Sequence, residues 1–122
     1  MIDLYYILDE NMQPVSVKCE TPETIMAWGQ FCEENKRVKQ DTLADGTWIS
    51  TVFLGIDHRF GADGLDPILW ETMIFSDNSF VSESLYQRRY ISHADAVRGH
   101  DKIVQMMQDP FGRNQLLNDL SD

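Results

Sequence analysis

The sequence predicts an α+β fold: a meander-like antiparallel sheet with two main helices packed on one face. Three observations carry that expectation. Short alternating apolar runs, separated by tight-turn signals, recur along much of the chain. Two other stretches repeat their apolar residues at three- and four-residue spacing, each behind a capping residue. The chain has 122 residues, 43% of them apolar and 25% charged, which suits one ordinary core.

The elements follow in order. "LYYILDENMQPVSVK" reads as a hairpin, with apolar Leu4 to Leu8, a polar turn from Asp9 to Gln13, and alternating Val15 and Val17. A helix starts next: Thr21 caps it, Pro22 suits its first position, and Glu23 favours the positive end of its dipole. Ile25, Trp28, Phe31 and Cys32 should form its buried stripe as far as Asn35, with Gly29 weakening the interior. "RVKQDTLADGTWISTVFLGI" is two strands joined at Asp45-Gly46, a strong hairpin signal. The apolar run then stops, and the glycines and aspartates of residues 57 to 66 make a loop. "PILWETMIF" is the next strand, with Pro67 at its first residue. A register centred on the loop sets Leu54 near Leu69 and Val52 near Glu71. "YQRRYIS" is a further strand.

Ser92-His-Ala-Asp95 fits a capping box for the last helix. Val97, Ile103, Val104 and Met107 define its apolar face, and Pro110 with Gly112 should end it. Residues 1–112 are thus expected to form one domain. Residues 113–122 make a C-terminal tail whose Leu116, Leu117 and Leu120 suit a short docked helix or a frayed end. Trp48, Phe53, Trp70, Phe75 and Tyr90 should supply much of the core volume.

Charge is the unusual bulk property. The formal net charge is −10. Asp9, Glu10, Glu20, Glu23, Glu33 and Glu34 crowd the first third, where they form the candidate binding surface. Basic residues gather in two knots, Lys36, Arg37 and Lys39, then Arg88, Arg89, Arg98 and Lys102. Such a chain should be repelled by nucleic-acid phosphates and anionic membranes, so direct nucleic-acid binding is disfavoured. A protein partner with a basic surface suits it better, and solubility alone is the plainer reading of the acids. Arg88-Arg89 beside Tyr86 and Tyr90 resembles a small nucleic-acid or phosphate patch, against which charge pairing across the sheet is the stronger reading. No apolar stretch approaches membrane-spanning length, and the first residues predict no secretory signal. Cys19 and Cys32 make neither a disulfide framework nor a metal pattern, which suits a reducing cytoplasm.

Asp57, His58, Glu71 and His100 are the candidate catalytic residues. Asp57 and His58 stand at a strand end, where rigid scaffolds present functional groups. Glu71 lies mid-strand, and a buried carboxylate there needs a partner. His100 sits three or four residues from Ala96, Val97, Ile103 and Val104, centred on the stripe that should face the sheet. Convergence of these groups would make a general acid–base pair or half of a divalent-metal site, with Asp57 and His58 on the metal or orienting water. No cofactor is otherwise expected. The competing reading is structural: His100 in the core bonded to a carbonyl or to Glu71, Glu71 paired with Arg88 or Arg89, and Asp57 bracing its own loop. "DHRFGADGLD" lacks the order of an EF-hand calcium loop, and no phosphate-cradling glycine loop is present.

Along "STVFLGIDHRF…PILWETMIF…RRYISHADAVRGHDKIV" the chain resembles a group of small proteins encoded by bacteriophages and prophages, across most of residues 37 to 104. Its most distinctive pieces are Ser50 to His58 and Glu71-Thr-Met73. No activity is attached to that group, so the resemblance implies context alone: a small protein made in the cytoplasm of a bacterial host. The resulting expectation is a binding protein that engages a host or phage protein, for instance by inhibiting a host-defence or nucleic-acid-handling factor. The alternatives are a small hydrolase or metal-dependent enzyme using the four residues above, and a virion or assembly accessory that forms a homo-oligomer.

Overall fold

The computed structural model describes residues 4–59, 65–76 and 84–118. In chain order they form β1 (Tyr5–Leu8), β2 (Pro14–Val17), α1 (Pro22–Asn35), β3 (Arg37–Thr42), β4 (Trp48–Phe53), β5 (Trp70–Phe75), β6 (Ser84–Tyr90), α2 (His93–Gln108) and α3 (Pro110–Asn118). The fold is α+β, with antiparallel pairing throughout these strands. The strands make two sheets, the β1–β2 hairpin and a four-stranded meander ordered β3-β4-β5-β6.

Local chemistry explains the element ends. Thr21 accepts a hydrogen bond from the Thr24 amide, and the Thr24 hydroxyl accepts one from the Thr21 amide, so two of the free donors at the start of α1 are satisfied. Ser92 caps α2 by accepting from the Asp95 amide, but the reciprocal half of the expected capping box does not form, because Asp95 pairs with Arg98 instead. The β3–β4 turn has Gly46 at φ 92°, and Asp45 Oδ1 accepts from the Thr47 amide at 2.9 Å. The expected β4–β5 register holds: Val52 stands opposite Glu71, and the Leu54 amide donates to the Leu69 carbonyl at 2.6 Å.

One face of the meander carries Ile49, Thr51 and Phe53 of β4 with Trp70, Thr72 and Ile74 of β5, and α2 lies across it. The core is in two parts. Ile49, Ile74, Ile103, Met107 and Leu116 make one cluster, and Phe53, Leu69, Trp70, Tyr90 and Ala96 make the other. Helix α1 reaches the second cluster with Phe31 and Cys32, the Phe31 and Phe53 rings meeting edge to face at 6.2 Å.

Gly55 ties β1 to this layer. Its φ of 75° turns the chain after β4, where its carbonyl accepts from the Tyr6 amide at 2.8 Å. The Trp28 indole N–H reaches both the Tyr6 and Gly55 carbonyls at 3.2 Å. A side chain at position 55 would run into Cys32 Sγ and the Trp28 ring.

Several sequence expectations are corrected. β5 begins at Trp70, so Pro67 lies ahead of the strand, not at its first residue. Helix α1 has no fully buried residue, and Ile25 is 49% exposed because the hairpin covers only the Trp28–Phe31 side. Trp48 and Phe75 do not enter the core; they stack on each other at 5.2 Å, half-buried. Pro110 ends α2 but starts α3, the position where its missing N–H costs nothing. Gly112 lies within α3, close against the Met106 backbone, and lets α3 fold back on α2. Leu116 is buried by that docking, while Leu120 and residues 60–64 of the acidic loop fall outside the described residues.

Candidate functional site

The four candidate catalytic residues do not assemble. Glu71 projects from the sheet face opposite α2, since its neighbours Trp70 and Thr72 face the helix side. There it accepts from Arg89 Nε at 2.8 Å and from Gln87, the cross-strand pairing that the structural reading anticipated. Asp57, almost fully buried, accepts from the Arg59 amide at 2.8 Å and the Ile68 amide at 2.9 Å, and so pins both ends of its loop. The His58 amide donates to the Ile68 carbonyl. His100 faces inward from α2 on the other side of the sheet from Glu71.

His100 instead belongs to a buried polar chain. Its Nε2 lies 2.7 Å from Asp41 Oδ2 and its Nδ1 2.7 Å from Thr51 Oγ1. Thr51 Oγ1 is 2.5 Å from Thr72 Oγ1, and the Tyr90 hydroxyl donates to Thr72 at 3.1 Å. With the Nε2–H turned to the Asp41 carboxylate and Nδ1 as acceptor, the one proton of each hydroxyl gives a single direction. Tyr90 donates to Thr72, Thr72 to Thr51, Thr51 to His100 Nδ1, and the Nε2–H donates to Asp41. Thr51, Thr72 and His100 are wholly inaccessible, so the Asp–His–Thr arrangement has no route to a substrate. It is a structural relay. Its other members were missed by sequence reasoning, although one signal was available: Thr51 and Thr72 interrupt the apolar Ile49–Phe53 and Trp70–Ile74 alternations at core-facing positions.

Tyr90 connects this chain to a concavity of about 460 Å³. Arg59 and Ile68 come from the β4–β5 connection, Arg88, Arg89 and Tyr90 from β6, and Arg98, Gly99 and Lys102 from α2. Among the described residues, five of the chain's ten lysines and arginines line it, against one acid, Asp95. Arg98 pairs with Asp95 and Arg89 with Glu71. Arg88 lies over the Tyr90 ring, 5.6 Å from its centroid. Among the described residues Arg59, Arg88 and Lys102 have no carboxylate partner, and the buried Arg59 Nε–H has no acceptor there. Burial pushes the Tyr90 phenol above its ordinary value, against the opposing effects of Thr72 and Arg88.

The six candidate binding acids are all exposed on the hairpin–α1 side. Asp9 also braces the hairpin turn, accepting from the Asn11 and Gln13 amides, and Glu33 pairs with Lys36. Asp9, Glu10 and Glu34 rim a groove of about 380 Å³ whose walls include Leu8, Met12 and Phe31. On the outer surface of α1, Met26 is 73% exposed beside Ile25.

Compared with family models, curated proteins and solved structures, the chain matches none. Among the described residues no group of three or more His, Cys, Asp or Glu side chains is placed to hold a metal ion. No helix among them is long and apolar enough to cross a membrane.

Proposed function

We propose that this chain is a binding protein that docks its hairpin–α1 layer on a basic surface of another protein. A nucleic-acid-handling factor, including one that acts in host defence, would present such a surface to bind phosphates. The observation that carries the reading is α1 itself. It is an N-capped helix with no buried residue, exposing Ile25 and Met26 among acids. Residues 4–35 hold six acids and Lys18 as their one base. Long-range attraction would speed encounter with a cationic patch, and the apolar residues would then supply contact area once water is excluded. The groove lined by Asp9, Glu10 and Glu34 has an apolar wall, and its three acids outnumber its one arginine, Arg37, which favours an inserted lysine or arginine.

A photo-cross-linking residue at Met26, in lysate of phage-infected bacteria, tests this reading against the same probe at Gln115 on α3. The expected result is one basic protein captured from position 26 and not from 115. Capture should fall when Glu10→Lys and Glu34→Lys are combined, and when salt is raised. Equal capture from both positions, or indifference to charge reversal, removes the proposal.

A further inference from the structure

The acidic face leaves the opposite electrostatic feature of this molecule unexplained. A chain with twenty acids and ten bases has carboxylates to spare for every cation. Yet five of its ten cations border one concavity whose single acid among the described residues is Asp95, although the Arg89 guanidinium turns to Glu71 on the other sheet face. Gathering like charges is unfavourable, more so where low-dielectric walls limit screening. The arrangement is made from three separate elements, so it is not an accident of neighbouring residues. Its wall at Arg59 is held by Asp57, which clamps the Arg59 and Ile68 amides together. Its floor is Tyr90, pressed on Gly99 so closely that a side chain at 99 would overlap the ring. Tyr90 is anchored in turn through Thr72 and the relay behind it.

We propose that this concavity binds a small molecule carrying a phosphomonoester, with Arg59, Arg88 and Lys102 as the cations that receive the phosphate. A guanidinium fork matches two phosphate oxygens, and lysine adds a point charge on a flexible stem. About 460 Å³ exceeds what a bare phosphate needs and lies in the range of small-ligand sites. Ile68, Ile91 and the Arg88–Tyr90 stack supply the apolar, planar surface that would take a ring attached to that phosphate. The class indicated is therefore of nucleoside monophosphate size. The site stands apart from the proposed protein-docking surface, sharing no residue with either groove on the hairpin–α1 side.

The test is amide NMR of the whole chain titrated separately with inorganic phosphate, adenosine 5′-monophosphate and unphosphorylated adenosine. Both phosphates should shift the amides of residues 88–91 and 98–102, the nucleotide at lower concentration, and adenosine alone should not. Arg88→Gln and Lys102→Gln, both at exposed side chains, should leave the melting temperature unchanged. Each should weaken nucleotide binding about tenfold, the loss of one charge-assisted hydrogen bond. No shift at about 10 mM nucleotide, well above typical ligand ranges, would overturn the assignment. So would equal shifts with adenosine, or affinity indifferent to both substitutions. Shifts of the same amides that grow with protein concentration in phosphate-free buffer would also overturn it, because acids of a second copy would then be the occupant.

Discussion

Thr51→Val tests the buried relay most directly. Valine nearly matches the shape of threonine, so the change removes one hydroxyl and opens almost no space. Two groups lose their partner, the Nδ1 of His100 and the hydroxyl of Thr72, and both residues are wholly inaccessible to water. An unsatisfied buried polar group costs about 1–3 kcal/mol. Two such groups cost about 2–6 kcal/mol and the added methyl returns roughly 0.8 kcal/mol, so the net loss is about 1–5 kcal/mol. At roughly 4 °C per kcal/mol for a chain of this size, the melting temperature should fall by about 4–20 °C. Circular dichroism melts and urea unfolding at constant m-value give the measurement. Thr51→Ser keeps the hydroxyl and should cost only about 1 kcal/mol for its lost methyl. The combination Thr51→Val, Thr72→Val and His100→Leu removes donors and acceptors together, and should be more stable than Thr51→Val alone. A Thr51→Val loss below about 0.5 kcal/mol, or a larger loss in Thr51→Ser, would refute the reasoning.

Other expectations are simpler to state. The relay requires His100 to carry its proton on Nε2, which long-range proton–nitrogen NMR reads directly; a proton on Nδ1 would reverse the assigned direction. Gly55→Ala should lose about 2–4 kcal/mol, from positive-φ strain and overlap with Cys32, and adding Cys32→Ala should restore only the overlap part. Asp45 is held at about 2 by the Thr47 amide and hydroxyl and by Arg113. Its folded value lies below the unfolded one, so the ionised group stabilises the fold above the ordinary carboxylate range and loses that effect as pH falls toward 2. The difference in melting temperature between parent and Asp45→Asn should accordingly shrink over that window, and a difference that grows on acidification would count against it. Burial raises the Cys32 and Cys19 thiols, with Cys19 also raising Cys32. Alkylation by iodoacetamide should therefore still be accelerating at pH 9, and a plateau below that pH would contradict the shift.

The parts of this fold that were legible in the sequence are those set by local chemistry. Thr21-Pro22 and Ser92 start helices because capping is a contact between near neighbours, and Asp45-Gly46 turns because few residues tolerate its geometry. The β4–β5 register followed from centring one loop. What sequence reasoning could not give depends on which faces meet. His100 was rightly placed against the sheet, but its partner was assigned to Glu71, one residue from Thr72. In a strand that single step reverses the side of the sheet, so an error of one position separated two groups by the whole sheet thickness. The α1 stripe failed for a different reason. Three- and four-residue spacing shows that a helix has an apolar side, but not that this chain alone has enough surface to cover it, and Ile25 is left in solvent. The basic concavity was half visible in Arg88, Arg89, Arg98 and Lys102. The fifth cation, Arg59, arrives through a loop closure that no spacing rule encodes.

The same one-residue logic gives the relay a purpose that stability does not require. Reading across the meander, it takes Asp41 from β3, Thr51 from β4, Thr72 from β5 and Tyr90 from β6, with His100 of α2 joining the first two. Every strand contributes one member. Apolar contacts on either side of it are tolerant, because isoleucine against isoleucine packs passably in more than one register. A hydrogen-bonded chain is not tolerant: slipping any strand by one residue carries its hydroxyl to the opposite face and strands the next group in a dry core. The polar seam divides the two apolar clusters and thereby holds β6 in the one register that sets Tyr90 against Gly99. That contact forms the floor of the cation-lined concavity. Precision at the candidate ligand site is thus imposed from the far edge of the sheet, through groups that no ligand touches.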